Sequence, residues 1–314
     1  MKKSVEFIPH IEAYDHEIME EIRGIAEGAG CLLEEILAIN IRSELLFLLE
    51  TQGNAIQISC TSIAATPDAT KSQETLLAQN WDWYAQAGEH CIILSIKQTG
   101  KPDIIQVGEA GLIAKMGMNS AGIGMCTNAL VCDNWRVSVP FHVILRGILN
   151  ASTMTAAVGA VSKAVRASAG DFLIGHVDGM VLNIETAPET FNILVPELGT
   201  IAHTNHFLID NPKIKDFIPS MWPDSIVRKH RASMLLASEC KLIELSTIKK
   251  VLRDHFDYPH SICAHGDGIA PESQTGASVI INLSKRQFHV AKGHPCKHSY
   301  YCFDLTSNVN EISH

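Results

Sequence analysis

A thiol with small hydroxylic neighbours is the first feature that could do chemistry: Ser59, Cys60, Thr61 and Ser62 follow one another. A cysteine thiolate is a strong nucleophile. The chain has nine cysteines, an odd number, and no Cys-x-x-Cys pair occurs. In a reducing compartment most of them are expected to be buried thiols that behave as small hydrophobic groups. The rest of the chain must therefore decide whether Cys60 is special.

Three other clusters carry polar side chains of the kind that catalysis uses. Asp82 lies between two tryptophans, and its carboxylate could hold an amine or only end a strand. Asn205 lies in a His-Thr-Asn-His run, and its amide could stabilise an oxyanion or satisfy a turn. Ser261 lies in a Ser-Ile-Cys-Ala run and could orient a site or pair within a strand.

Hydrophobic periodicity predicts the elements that must position these residues. Helical spacing covers residues 12–50 and returns at 139–151, 153–167, 224–237 and 246–256. Short apolar runs between turn signals predict strands at 76–83, 91–98, 103–109, 121–130, 171–177, 180–186, 190–196, 277–283, 287–293 and 299–305. There is no strand-helix-strand alternation, so the pattern favours two antiparallel sheets packed face to face with helices outside.

Composition excludes several classes of partner. The 314-residue chain has a net charge of −9, a pI of about 5.9 and no Lys/Arg-rich run, which argues against nucleic acid. Its first residues lack the apolar core of a signal peptide, and no apolar stretch reaches the roughly 18 residues of a membrane span. We therefore expect a cytoplasmic protein that binds neither nucleic acid nor membranes.

The motifs, in this order and at these spacings, resemble the peptidase C45 family, the penicillin acyltransferase-like members of the N-terminal-nucleophile (Ntn) hydrolases. The resemblance runs from about residue 15 to residue 305. The helical pro-segment of that family is matched by EEIRGIAEGAG and LEEILAINIRSE, its nucleophile region by CTS and QNWDW, and its asparagine motif by HTNHFL. Its later strands are matched by EAGLIAKMGMNSAGIGMCTNAL, PHSIC and GHPCKHSYYCFDL.

The resemblance implies an α+β fold, a four-layer αββα sandwich of two antiparallel sheets flanked by helices. It implies a helical pro-segment over residues 1–59 and a catalytic body over residues 60–314. Self-cleavage between Ser59 and Cys60 would give two chains that stay associated, with homo-oligomer formation left open. No cofactor and no metal ion are implied.

The resemblance also implies catalytic roles for Cys60, Asp82 and Asn205. After cleavage the α-amine of Cys60, with a reference pKa of about 7.7–8.0, would be the base for its own thiol. Asp82 would hold that amine, and the Asn205 amide would donate to the oxyanion. The side chains expected to bind substrate or orient the site are Thr61, Ser62, Trp83 and Ser261. The acyl donor would be a small N-acyl amide or an acyl-CoA-like thioester, with water or an amine as acceptor.

Two features depart from the family pattern. The chain begins close to the first pro-segment helix, where family members usually carry more sequence. The family's Ser-Ile-Cys-Arg run ends here in Ala264, so the basic residue is missing. If that residue binds a substrate carboxylate in the family, we expect a different substrate here.

Three alternatives remain open from the sequence. A Cys-His hydrolase without self-cleavage would use His203 or His206 as its base. A metal-binding protein could use His203 and His206 together with His294, Cys296 and His298, the last three of which would share one face of an extended strand. A non-catalytic relative would keep the fold without the chemistry.

Overall fold

The computed structural model of the chain describes residues 3–45, 59–268 and 273–305. Residues 46–58, which include the end of the predicted helical region 12–50 and most of the remaining pro-segment, lie outside the described residues. Ser59 and Cys60 are consecutive residues of one strand, so the structure describes the chain before any cleavage between them.

Helices and strands follow one another in blocks along the chain. The helices are α1 Ile8–Tyr14, α2 His16–Ala29, α3 Leu33–Asn40, α4 Phe141–Leu149, α5 Met154–Ser162, α6 Ile218–Met221, α7 Asp224–Ser238 and α8 Leu245–Leu252. The strands are β1 Ser59–Ala65, β2 Leu76–Tyr84, β3 Cys91–Ile96, β4 Ile104–Glu109, β5 Met116–Asn119, β6 Ile123–Asn128, β7 Gly170–His176, β8 Val181–Ala187, β9 Thr190–Leu194, β10 Thr200–His203, β11 Ser273–Asn282, β12 Gln287–Lys292 and β13 Tyr301–Asp304. Short 3₁₀ helices cover Ser4–Phe7 and Ala85–His90.

The strands form two sheets in which every neighbouring pair is antiparallel. One sheet has the order β10-β1-β2-β11-β12-β13, and the other has the order β3-β4-β5-β6-β7-β8-β9. Strand β1, which carries Cys60, is next to the edge of its sheet and pairs with β2 on one side and β10 on the other. The site is therefore built on a rigid strand, held along most of its length from both sides.

Three apolar clusters define four layers. One lies between the two sheets and joins Leu77 and Trp81 to Leu173 of the opposite sheet. The second lies between the seven-stranded sheet and helices α1–α5, and the third lies between the six-stranded sheet and helices α7 and α8. The predicted four-layer αββα sandwich is confirmed.

Helix α2 shows how the sequence forms these layers. Its N-cap Asp15 accepts hydrogen bonds from the backbone N–H groups of the first turn, and Gly30 ends the helix with a positive φ of 64°. Its buried residues recur every three or four positions and therefore form one face. They are Ile18, Met19, Ile22 and Ala26.

The described part of the predicted pro-segment is built into the body rather than laid over it. Asn40, at the end of α3, donates to the carbonyl of Gly111 (2.9 Å) and accepts from the backbone N–H of Ile113 (3.0 Å). The carboxylate of Glu44 accepts from the backbone N–H of Phe141 at 2.7 Å. Buried polar contacts of this kind fix the segment in one position on the seven-stranded sheet.

Three of the observed strands, β1, β5 and β10, are missing from the strands predicted from the sequence. Strands β5 and β10 are four residues each, too short for periodicity alone to single out. Within the predicted helical region 12–50, α2 ends at the last glycine of the EGAG run and α3 follows, as the helix-stop pattern of that run predicts. None of the helices in the described ranges combines the length and apolarity that a membrane crossing needs.

Candidate active site

The backbone of Cys60 lies where strand β1 loses its neighbour. Strand β10 pairs with β1 as far as Ser62, whose partner is His203, and then turns away. Alternate residues of a strand present their N–H and C=O groups to the same side, so Cys60 presents these groups to the side on which β10 pairs with Ser62. At Cys60, no backbone partner from the described residues lies on that side. Two buried side chains replace it. Asn205 Oδ1 accepts from the Cys60 N–H at 2.8 Å, and Arg228 Nη1 donates to the Cys60 carbonyl oxygen at 2.7 Å.

The amide of Asn205 is fixed at both ends. Its Oδ1 also accepts from Arg228 Nη2 at 3.2 Å, and its Nδ2 donates to the carbonyl of Ala129 at 3.1 Å. Its own backbone N–H donates to the hydroxyl of Ser225 at 3.0 Å. In the uncleaved chain the carbonyl end of Asn205 therefore faces Cys60, and the predicted oxyanion role of the NH₂ group stays a prediction.

Arg228 is a site residue that our sequence analysis missed. It is 2% exposed, its Nε donates to Asp224 one turn earlier (2.9 Å), and its Nη1 also donates to Thr61 Oγ1 (3.0 Å). The buried face of α7 is formed by Ser225, Arg228, Ala232 and Leu236. An arginine on the buried face of a helix must find buried acceptors, and this spacing was the available signal.

The thiol of Cys60 faces the apolar layer between the two sheets. It belongs to the same buried cluster as Trp81, its partner across the strand pair. Burial, and next the charge of Asp82, raise the pKa of the thiol to about 11, although Lys115 acts in the opposite direction. At neutral pH the thiol is therefore protonated in the uncleaved chain, and it needs a base before it can attack.

Lys115 is a second residue that the sequence analysis missed. It is 5% exposed, and its Nζ lies 3.1 Å from the centre of the Trp81 ring and 3.5 Å from Glu109. Burial lowers the pKa of Lys115 to about 7, and the Cys60 thiol is among the groups that act on it electrostatically. A buried amine whose pKa lies near neutrality is a candidate base for a thiol within its electrostatic range.

Asp82 is fully buried opposite Ser59 in the register of β1 and β2. Its carboxylate accepts from the hydroxyl of Thr275 at 2.6 Å and from that of Ser59. Burial raises the pKa of Asp82 to about 7, against the opposing charge of Arg228. Within the described residues its Oδ2 atom has no hydrogen-bond partner. The Oδ2 atom of Asp82 can therefore accept a further hydrogen bond close to the predicted cleavage site between Ser59 and Cys60.

The raised pKa of Asp82 predicts a pH-dependent stability. Between about pH 3.8 and pH 7 the folded chain holds a proton on Asp82 that the unfolded chain releases, so the free energy of unfolding falls as pH rises. At about 1.4 kcal/mol per pKa unit the loss is a few kcal/mol. We expect Asp82→Asn to remove this slope in urea unfolding of the Cys60→Ala chain. Parallel pH profiles for the Asp82→Asn variant and its parent would contradict the assignment.

Comparison with known proteins identifies the family. The family model described as acyl-coenzyme A:6-aminopenicillanic acid acyl-transferase matches residues 69–297. The 40 kDa form of acyl-coenzyme A:6-aminopenicillanic-acid-acyltransferase from Emericella nidulans is 32% identical over 282 residues, which cover 88% of this chain and 75% of that protein. The chain belongs to the acyl-coenzyme A:6-aminopenicillanic acid acyl-transferase family. It is an enzyme of acyl transfer or amide hydrolysis.

Solved structures share the fold of this acyl-transferase family member. A Caenorhabditis elegans ortholog of N-acylethanolamine-hydrolyzing acid amidase matches with a TM-score of 0.54 and 15% identity, over 72% of this chain and 93% of that chain. Penicillin V acylase from Agrobacterium tumefaciens matches with a TM-score of 0.55 and 14% identity, over 79% and 87%. At these identities the likeness establishes the Ntn-hydrolase fold alone.

Two of the expected orienting residues follow Cys60 on β1 and point to opposite faces. Thr61 Oγ1 accepts from Arg228, as described above. Ser62 Oγ accepts from Asn128 Nδ2 at 2.6 Å, and that amide also donates to Asp171. Both hydroxyls therefore belong to buried networks that hold β1, which suits an orienting role.

The other two expected orienting residues lie further from the thiol. Trp83 is next to Trp81 on the same face of β2, with ring centres 6.3 Å apart, so it lines the layer that the thiol faces. Ser261 is buried, and its hydroxyl donates to the carbonyl of Cys263 at 2.7 Å. Ser261 therefore orders its own loop, and a direct role at the thiol stays a prediction.

The two histidines of the Cys-His alternative form hydrogen bonds and ion pairs with residues other than Cys60. His203 is fully buried, with Nε2 2.8 Å from Glu185 and Nδ1 3.3 Å from Asp171. Although burial opposes it, these two carboxylates raise the pKa of His203. His206 Nδ1 lies 2.8 Å from the hydroxyl of Ser225. Across the described ranges neither ring forms a hydrogen bond with Cys60.

An apolar cavity of about 330 Å³ opens between the ends of the two sheets. Several of its lining residues belong to the same buried cluster as Cys60, and Lys115 is in electrostatic range of both the Cys60 and Cys91 thiols. The lining residues are Cys91, Ile92, Ile93, Ser95, Ile105, Val107, Ala277, Val290, Lys292 and Phe303. A cavity of this size and character can take a small apolar group.

Proposed function

We propose that the chain is a self-processing cysteine N-terminal-nucleophile enzyme that transfers an acyl group through a thioester on Cys60. The observation that carries this proposal is the way in which the backbone of Cys60 is hydrogen-bonded. Its N–H and C=O are bound by the buried side chains of Asn205 and Arg228 instead of a neighbouring strand. A buried strand residue without a neighbouring strand needs other partners, and side-chain partners of this kind could go on holding Cys60 after it becomes a chain terminus.

The first reaction would be cleavage of the bond between Ser59 and Cys60. The thiol loses its proton to a base, and sulfur bonds to the Ser59 carbonyl carbon. The carbon–nitrogen bond then breaks as the nitrogen takes up a proton, which leaves a thioester and the α-amine of Cys60. Water hydrolyses the thioester and releases the carboxylate of Ser59. Lys115, whose pKa is about 7, is the proposed base for the first step.

The mature enzyme would then use its new terminus. The α-amine of Cys60 has a reference pKa of about 7.7–8.0, so it can take the proton of the adjacent thiol. Asp82, whose Oδ2 atom has no hydrogen-bond partner among the described residues, would accept a hydrogen bond from that amine. Asn205 would supply an N–H donor to the oxyanion of the incoming acyl group.

The substrate we propose is a small N-acyl amide or an acyl-CoA-like thioester with an apolar acyl group. The support is the apolar cavity beside the inter-sheet layer that the thiol faces, together with the acyl-coenzyme A donor named in the family's description. Ala264 is buried and has no charge to offer an acceptor carboxylate. We therefore propose an acceptor that needs no cation at this position, either water or an amine that carries no carboxylate.

We also propose that the two chains stay associated after cleavage. The support is the apolar cluster that the pro-segment shares with the body, and ion pairs such as Arg146 with Glu21, 2.5 Å apart. Eight large side chains of the pro-segment are buried in that cluster: Phe7, Ile11, Ile18, Met19, Ile22, Ile36, Leu37 and Ile41. Each contributes about 1.5–3 kcal/mol when fully buried, so the association needs no covalent link.

Trapping of the acyl group tests the proposed chemistry. The purified enzyme is mixed with N-acyl amides and acyl-CoA thioesters of graded chain length, quenched in acid and weighed by intact-mass spectrometry. We expect one acyl group on the chain that begins at Cys60, and none in the Cys60→Ala variant. Cys91→Ala, which removes the thiol of the cavity, is the matched control and should still be acylated. An acyl group on any other residue during turnover would exclude Cys60 as the nucleophile.

A further inference from the structure

Four side chains of a different kind converge between α8 and the C-terminal strands. The Nε2 atoms of His255 and His265 are 3.1 Å apart. The Sγ atoms of Cys263 and Cys296 lie 3.7 Å and 3.6 Å from Nε2 of His265. All four atoms lie within 4.8 Å of one another, with two of the residues buried and two exposed. Cys60 is not a member of this cluster.

Hydrogen bonding does not account for the convergence. A neutral imidazole nitrogen has one proton to donate or one lone pair to offer, so Nε2 of His265 can satisfy only one partner in its ring plane. Here one nitrogen and two sulfurs surround it at 3.1–3.7 Å. A cation at the centre of the four atoms could bind all of them at once.

We propose that His255, Cys263, His265 and Cys296 bind one Zn²⁺ ion. Tetrahedral zinc with nitrogen bonds of about 2.0–2.1 Å and sulfur bonds of about 2.3 Å gives edges of about 3.3 Å between nitrogens and 3.6 Å between nitrogen and sulfur. The observed separations of 3.1, 3.6 and 3.7 Å lie close to these edges. Four protein ligands leave no open position, so the site is structural rather than catalytic.

The fold holds the four ligands in place without the ion. The backbone N–H of Cys263 donates to the carbonyl of Asp254 (3.0 Å), and that of His265 donates to the carbonyl of Pro259 (2.9 Å). Arg253, just past the end of α8, donates from Nε to the carbonyl of Pro295 at 2.8 Å, directly before Cys296. Three separate segments are thereby brought together, and the ion would join them.

The proposed zinc site is connected to Asp82 through Ala264 and Thr275. Ala264 stands between the ligands Cys263 and His265, and its backbone N–H donates to Thr275 Oγ1 at 3.0 Å. The N–H of Thr275 donates back to the carbonyl of Ala264 at 3.1 Å, and its hydroxyl donates to Asp82 at 2.6 Å. Zinc bound on both sides of Ala264 would therefore hold the residue that orients Asp82.

This site corrects the set suggested by the sequence. His294, Cys296 and His298 share a face only if they are extended, but residues 295–297 form a turn between β12 and β13. Of these three, only Cys296 belongs to the cluster. The ring of His294 stacks on that of His265 instead, with centres 4.1 Å apart, and fixes the orientation of a ligand.

Metal analysis of the full chain tests the proposal. The Cys60→Ala protein, which lacks the reactive thiol, is stripped with a chelator under reducing conditions, dialysed against Zn²⁺ or Co²⁺ and assayed for bound metal. We expect one Zn²⁺ per chain, a higher thermal midpoint with zinc, and the visible bands of tetrahedral thiolate-bound Co²⁺. His255→Gln and Cys296→Ser, both at exposed ligands, should each lower affinity by about 10-fold to 100-fold or more.

Matched variants separate this site from incidental binding. His230→Gln and Cys31→Ser change exposed residues of the same types outside the cluster and should leave zinc affinity unchanged. Equal affinity in the ligand variants and these controls would overturn the proposal, as would no retained zinc in the parent chain. A disulfide between Cys263 and Cys296 in protein kept reduced would overturn it as well. None of these readouts depends on acyl transfer, so the zinc site and the proposed function can fail separately.

Discussion

Cys60→Ala is expected to leave a single chain of 314 residues, whereas the unchanged protein should give chains of 59 and 255 residues. Alanine keeps the Cβ atom and the strand but removes the sulfur that must bond to the Ser59 carbonyl. Acyl transfer should fall to background, a loss on the order of 10⁶-fold when a nucleophile is removed. Intact-mass measurement gives the chain lengths, and N-terminal sequencing of the larger chain should begin at Cys60.

Two further variants make this result specific. Cys31→Ala removes an exposed thiol of the pro-segment and should leave cleavage and activity unchanged. Cys60→Ser keeps an attacking atom of lower nucleophilicity and should cleave slowly, if at all. A fully active enzyme that remains one chain would refute the N-terminal-nucleophile mechanism, even with Cys60 as its nucleophile.

The second large effect is expected at Asn205, where two variants separate the two ends of one amide. Asn205→Asp keeps the oxygen that accepts from the Cys60 N–H and from Arg228, but it removes the NH₂ donor. We expect normal cleavage and a rate of acyl transfer lower by about 10²–10³-fold, the usual cost of one oxyanion donor. Asn205→Leu removes both ends and should impair cleavage as well, because the Cys60 N–H and Arg228 lose their acceptor.

The measurement is a time course of chain cleavage beside the steady-state rate of acyl transfer. Urea unfolding is the control for stability, since one unsatisfied buried group costs about 1–3 kcal/mol. Equal losses of acyl transfer and cleavage in both variants would show that Asn205 only positions Cys60. Full activity of Asn205→Asp would exclude its NH₂ group as an oxyanion donor.

The fold and the residues with the strongest local context could be predicted from the sequence. Short apolar runs between turn signals located most strands because many of these strands are buried on both faces, and the order of the motifs pointed to Cys60, Asp82 and Asn205. The structure brings these three to adjoining positions at one end of β1 and β2. Their catalytic roles stay predictions, which the variants above test.

Arg228 and Lys115 could not be assigned from sequence spacing because their importance depends on distant contacts. Arg228 is 168 residues from the carbonyl it binds, and Lys115 acquires its lowered pKa only when two sheets bury it. The ligands of the proposed zinc site could not be assigned from sequence spacing for the same reason. Its ligands come from three segments, and the turn at Cys296 prevents the extended arrangement that would align this residue with its neighbouring histidines.

The shared cluster of pro-segment and body bears on how the protein can be made. A chain synthesised from residue 60 onward would lack α1–α3, which cover the outer face of its seven-stranded sheet. The missing burial amounts to on the order of 10 kcal/mol or more, comparable to the whole stability of a typical domain. We therefore expect residues 1–59 to act as a built-in folding partner that is needed at synthesis and, with the proposed association of the two chains, stays bound after cleavage.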